Sequence, residues 1–153
     1  MKFFLVSLFL SLNSLIAFAD ESCGHFTGTY QDGPSTRIGL VQSQCQSVDL
    51  SFYIKDQNDK YIFLATLSYK ADGVWRKTFQ SHDGHVRRYV SASLSENHLV
   101  TKITEYLNED LIETYAETMT LDSTTGNISV LEEAFDGQGH LISRDNKIYS
   151  SLQ

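Results

Sequence analysis

The sequence predicts an all-β fold: one antiparallel, up-and-down meander of about 8–10 strands closed into a β-barrel. Three observations predict it. Turn-forming clusters recur along the chain at gaps of mostly eleven to sixteen residues: DGPS at 32–35, QCQS at 44–47, DQND at 56–59, ADG at 71–73, HDGH at 82–85, ENH at 96–98, NED at 108–110, TTGN at 124–127 and DGQG at 136–139. The intervening segments are rich in Val, Ile, Thr, Tyr and Phe, the residues that suit a pleated, half-buried surface. The single proline, Pro34, falls inside a turn. Ten open strands would leave long edges and an apolar face exposed, and closure into a barrel removes both. A two-layer β-sandwich is the alternative architecture.

The first element lies outside the fold. Residues 1–19, MKFFLVSLFLSLNSLIAFA, have one early cation, an apolar run and a small-residue ending at Ala17-Phe18-Ala19. This is the pattern of a secretory signal peptide, and the run is short for a membrane span. The expected mature domain is 20–153, long enough for one hydrophobic core. Without Lys2 it carries 11 Lys and Arg against 19 Asp and Glu, a formal charge of −8. Such a surface disfavours nucleic acid and anionic membranes as partners. The expected location is secreted, extracellular or periplasmic.

The first two strands are expected at 25–31 and 37–44, a hairpin around DGPST. Cys23 and Cys45 are equidistant from Pro34, so an unbulged hairpin sets them opposite one another, close enough for a disulfide. Closing that loop is worth about 3 kcal/mol by the chain-entropy model. Neither cysteine belongs to a C-x-x-C pair, which argues against a redox role.

Next come Val48, Leu50, Phe52 and Ile54 on one face of a strand, with Asp49, Ser51, Tyr53 and Lys55 on the other. The 61–67 segment is apolar on both faces. Trp75 and Phe79 alternate with Arg76 and Thr78. Val86, Val90, Ala92 and Leu94 share a face that includes Arg88. The 105–119 segment has apolar residues at helical spacing, but its recurrent Thr and alternating flanks favour two strands joined near Asn108-Glu109-Asp110.

The opening stretch, Cys23-x-x-Phe26-Thr27-Gly28-Thr29-Tyr30-x-Asp32 followed by Arg37-Ile38-Gly39-Leu40, resembles the start of the calycin superfamily of lipocalins, fatty-acid-binding proteins and avidins. Lipocalins open with Gly-x-Trp, where Gly28-x-Tyr30 stands here. Avidins open with Thr-Gly-x-Trp and an Asn-Asp turn, where Thr27-Gly28-Thr29-Tyr30 and Gln31-Asp32 stand. The resemblance implies a barrel with a Gly-bent first strand and an aromatic plug at one end. Trp75 is the only tryptophan, so the tryptophan set of avidins is missing. Fatty-acid-binding proteins hold a ligand carboxylate with interior Arg and Tyr, which makes Arg88 the candidate anchor.

The expected ligand-binding residues are Tyr30, Phe52, Phe63, Trp75, Phe79, Arg88 and Tyr89, with Phe26 beside them. An Arg88 held at a strand end and reaching water is the competing expectation. His82-Asp83-Gly84-His85 reads as a two-residue turn with the imidazoles as a facing pair, yet no third ligand is nearby and no metal site is assigned. Glu105, Glu113, Glu117 and Glu132 fit acid–base work only if burial raised a pKa, and the expectation is that they are wet. No nucleophile–base–orienter set, G-x-S-x-G, H-E-x-x-H or phosphate loop occurs, so a binding protein is favoured over an enzyme and no cofactor is assigned. The leading function is the binding of a small apolar or amphipathic ligand inside the barrel. The alternative is an exported protein-binding module, an inhibitor or envelope interaction protein, with a filled barrel and a sticky 61–67 strand.

Overall fold

The computed structural model describes residues 23–152. The leader expected over 1–19 lies outside them. Ten strands follow in order: β1 Gly28–Asp32, β2 Thr36–Ser43, β3 Ser47–Lys55, β4 Tyr61–Lys70, β5 Arg76–Gln80, β6 Val86–Ser95, β7 His98–Leu107, β8 Asp110–Leu121, β9 Ile128–Asp136 and β10 Leu141–Ser151. Each expected turn falls at a strand junction. The 105–119 segment forms the end of β7 and most of β8. Asn108 turns the chain between them at φ 58°, a left-handed backbone that Asn tolerates better than most residues.

The strands form one sheet in the order β4-β3-β2-β1-β10-β9-β8-β7-β6-β5. The β1–β2 register pairs Gly28 with Leu40 and Asp32 with Thr36, a reflection about Pro34. Cys23 and Cys45 continue that reflection beyond the end of the ladder and form the disulfide, with Cα atoms 5.7 Å apart. β4 and β5 are neighbours in sequence but edges in space, so the circuit of hydrogen bonds stays open between them. The chain joining them folds onto β6 instead. Asp72 bridges Ser93, and Gly73 N–H donates to the Ala92 carbonyl at 2.7 Å. This tether draws the two edges together at one end and leaves a seam along the rest.

In an up-and-down sheet alternate turns gather at opposite ends. One end is packed. Phe26, Tyr30, Ile38, Leu40, Val48, Leu50, Leu94, Leu99, Met119, Leu121, Ile128 and Val130 form a single buried cluster there. Phe26, fully buried, plugs the base just after the disulfide. Its N–H donates to Gln42 Oε1, and its carbonyl accepts from the Tyr30 hydroxyl at 3.1 Å. Gly24 N–H donates to the Glu96 carbonyl, tying the entering chain to the β6–β7 turn. Period-2 alternation then carries the inner face away from this core, and its residues become polar: Thr101, Glu117 and Glu132 stand one step beyond Leu99, Met119 and Val130, and Lys147 pairs with Val130 itself. The described residues contain no helix long and apolar enough to cross a membrane.

Candidate functional site

A cleft of about 330 Å³ occupies the seam. Leu67 and Tyr69 of β4 form one wall; Arg76 and Thr78 of β5, and Arg88, Val90 and Ala92 of β6, form the other, with Ile103 of β7 behind them. The register explains the lining. Val90 pairs with Ile103 and with Arg76, and Ala92 pairs with Thr101, so these residues share the inner face. Leu67 and Tyr69 lie opposite Leu50 and Val48 of the core, on the same face. The missing β4–β5 pairing thus leaves an opening from solvent onto the inner wall.

Both arginines of the cleft are already held. Arg88 donates to Glu105 Oε2 through Nη2 at 2.6 Å and Nε at 3.1 Å. Arg76 makes a two-pronged contact with Asp72 at 2.6 and 2.7 Å. The Arg76 guanidinium and the Val74 backbone N–H hold the Asp72 carboxyl well below the usual range. Lys70, also in the lining, approaches the same Asp72 at 3.6 Å, so each cleft cation has a carboxylate partner within the chain.

Deeper inside sits a second group. Lys147 Nζ donates to both oxygens of Glu132, at 3.1 and 2.9 Å. Glu117 lies directly beside Glu132 in the β8–β9 register. Burial, then the Glu132 charge, pushes the Glu117 carboxyl up to about 7, against the opposing pull of Lys147. Tyr69, on the cleft wall, is pushed up to about 12 by burial and by Glu117. Tyr115 is also pushed up to about 12, by burial and the charges of Glu132 and Glu117. Tyr69 thus lies on the cleft wall within electrostatic reach of Glu117.

The expected binding residues divide among four places. Arg88 lines the cleft, and Phe79 stands opposite it in the β5–β6 register with half its surface exposed. Tyr30 and Phe26 belong to the packed base, and Phe52 packs against that core. Phe63 lies past a β4 bulge, exposed and edge-on to Tyr53 at 5.7 Å. Trp75 and Tyr89 correct the expectation of an interior lining. Tyr89 alternates with Val90 and so points out of the barrel, where it meets Tyr106 edge-on at 5.8 Å. With Trp75, Arg87, Thr104 and Glu109 these rings line a separate outer depression of about 410 Å³.

The histidine turn is also corrected. Ser81 and Val86 close the loop, so His82 and His85 lie within it rather than as a facing pair. His85 Nδ1 bonds Asn108 Oδ1. Among the described residues no group of three His, Cys, Asp or Glu is placed to hold a metal ion. The expectation of wet glutamates fails at Glu117. Its phase was readable, because Tyr115, Glu117, Met119 and Leu121 alternate together and the last two are core residues. Tyr69 and Lys147 carried no comparable signal, since each depends on which strands become neighbours.

No protein-family model matches the chain, and no curated protein matches its sequence. Solved structures do match its shape. A mutant of the fluorescent protein UnaG superimposes with a TM-score of 0.53 at 10% identity, over 84% of this chain and 96% of that one. Wild-type UnaG gives 0.51 at 9% identity, over 83% and 97%. Ten antiparallel strands in sequential order, a plugged base and this likeness make the fold calycin-like.

Proposed function

We propose that this protein binds a small amphipathic molecule in the seam cleft, with the apolar part against Leu67, Val90, Ala92 and Ile103 and the polar end toward the interior. The observation that carries this reading is the cleft itself: an opening in the barrel wall lined by the apolar Leu67, Val90, Ala92 and Ile103 together with the polar Tyr69, Thr78 and Arg88. The calycin-like shape supports it as an analogy of architecture. Arg88 serves as a wall group rather than a free anion receptor, because Glu105 occupies it.

The uncharged probe N-phenyl-1-naphthylamine tests the reading. Its fluorescence should rise saturably with one site per chain, and Val90→Trp, which fills the cleft, should weaken binding about tenfold or more. Absence of saturable binding to the unaltered protein overturns it.

We further propose export, with the leader removed after Ala19. The disulfide is compatible with an oxidising compartment. The intact protein recovered from its natural host should begin at Asp20, with a mass two hydrogens below the fully reduced value. A chain still carrying residues 1–19 would rule this out.

A further inference from the structure

We propose that the outer depression beside Trp75 and Tyr106 is a second ligand site, and that it takes a neutral saccharide. It lies on the opposite face of the sheet from the seam cleft and is independent of that reading. The register assembles it. Arg87 pairs with Tyr106 and Tyr89 with Thr104, so these four side chains share the outward face of β6 and β7. Arg76 pairs with Val90 on the inner face, so Trp75, one residue earlier, falls on the outer one with Tyr89. Glu109, in the turn between β7 and β8, completes the lining. That turn is held in place. Asn108 N–H donates to the His85 carbonyl at 2.6 Å, and the Asn108 carbonyl accepts from Arg87 Nη2. At about 410 Å³ the depression falls within the size range of small-molecule sites.

The lining selects the chemistry. Trp75, Tyr89 and Tyr106 supply flat apolar surface. The two tyrosine rings meet at 86°, forming a corner, and Trp75 keeps 45% of its surface exposed. Arg87 and Glu109 are the charged groups of the lining, and they pair with each other at 3.2 Å. An incoming anion meets Glu109 and an incoming cation meets Arg87, so neither charge is favoured. Aromatic walls with a carboxylate would suit a quaternary ammonium, but Arg87 stands in the same wall. Hydrogen-bonding capacity remains unused. Both side-chain hydrogen bonds of Arg87 run from Nη2, and its buried Nε has no partner among the described residues. The Glu109 carboxylate, on a side chain 92% exposed, accepts, and the Thr104 and tyrosine hydroxyls both donate and accept. A pyranose matches this set. The C–H groups of its ring face lie against aromatic rings, and its hydroxyl rim donates and accepts. A purely apolar ligand would leave the polar half of the lining unpaired.

Trp75 is the single tryptophan of the chain, so its fluorescence reads this depression directly. The full mature protein is titrated with neutral hexasaccharides (cellohexaose, maltohexaose and N-acetylchitohexaose) and, separately, with choline and benzoate. At least one saccharide should move the Trp75 emission to shorter wavelength and shield it from acrylamide quenching, saturably, with a Kd of about 1 mM or tighter. Tyr106→Ala should weaken that binding about tenfold. Arg87→Gln, which keeps every ring, should weaken it about fivefold. Shielding by choline or benzoate at lower concentration than by any saccharide overturns the neutral class. Saccharide binding that neither substitution weakens overturns this seat. Absence of saturable shielding by all the saccharides overturns the proposal, and the seam cleft stands or falls separately by its own probe.

Discussion

Phe26→Ala should destabilise the protein by about 3–5 kcal/mol in denaturant unfolding. Phe26 is completely buried and lies at the one place where the barrel has a packed base. Removing the ring deletes the contacts of a fully enclosed aromatic side chain. It also leaves a hole that the surroundings are poorly able to fill. Cys23–Cys45 fixes the chain three residues before it, Gly24 is bonded to Glu96, and the Phe26 carbonyl is held by Tyr30. A site restrained on both sides relaxes little, so the loss should fall in the upper part of the usual range for core truncation. A cost below about 1 kcal/mol would mean that Phe26 does not seal the base.

Local chemistry made most of the architecture readable. The turn residues divided the chain at the right places, and the hairpin arithmetic about Pro34 holds in the observed Gly28–Leu40 register. The choice of two strands over a helix at 105–119 came from Thr recurrence and alternation, which are local signals too. The seam was not readable. Whether β4 pairs with β5 depends on how far a ten-strand sheet curls, a property of all its strands at once. The candidate site inherits that difficulty. Aromatic character points Trp75 and Tyr89 to the interior, although Tyr89 is out of phase with Val90 and Ala92. Charge points Glu117 to water, although it is in phase with Met119 and Leu121. In both cases the strand's alternation was the better guide, because a strand cannot turn one side chain to the other face without a bulge.

The pH dependence of stability isolates Glu117. Burial and the neighbouring Glu132 charge push its carboxyl up to about 7 in the fold from its ordinary 4.5, so between those values the folded chain holds a proton that the unfolded chain has released. Stability must then fall as pH rises through that window and level off above it. At 1.36 kcal/mol per pH unit the full effect is up to about 3 kcal/mol. Glu117→Gln keeps the shape and removes the charge. The variant should be the more stable protein at pH 8, by up to about 3 kcal/mol, and should match the unaltered protein near pH 4. Parallel denaturation curves at the two pH values read this directly. Equal stabilities at pH 8 would mean that water or rearrangement relieves the Glu117 charge in the folded chain.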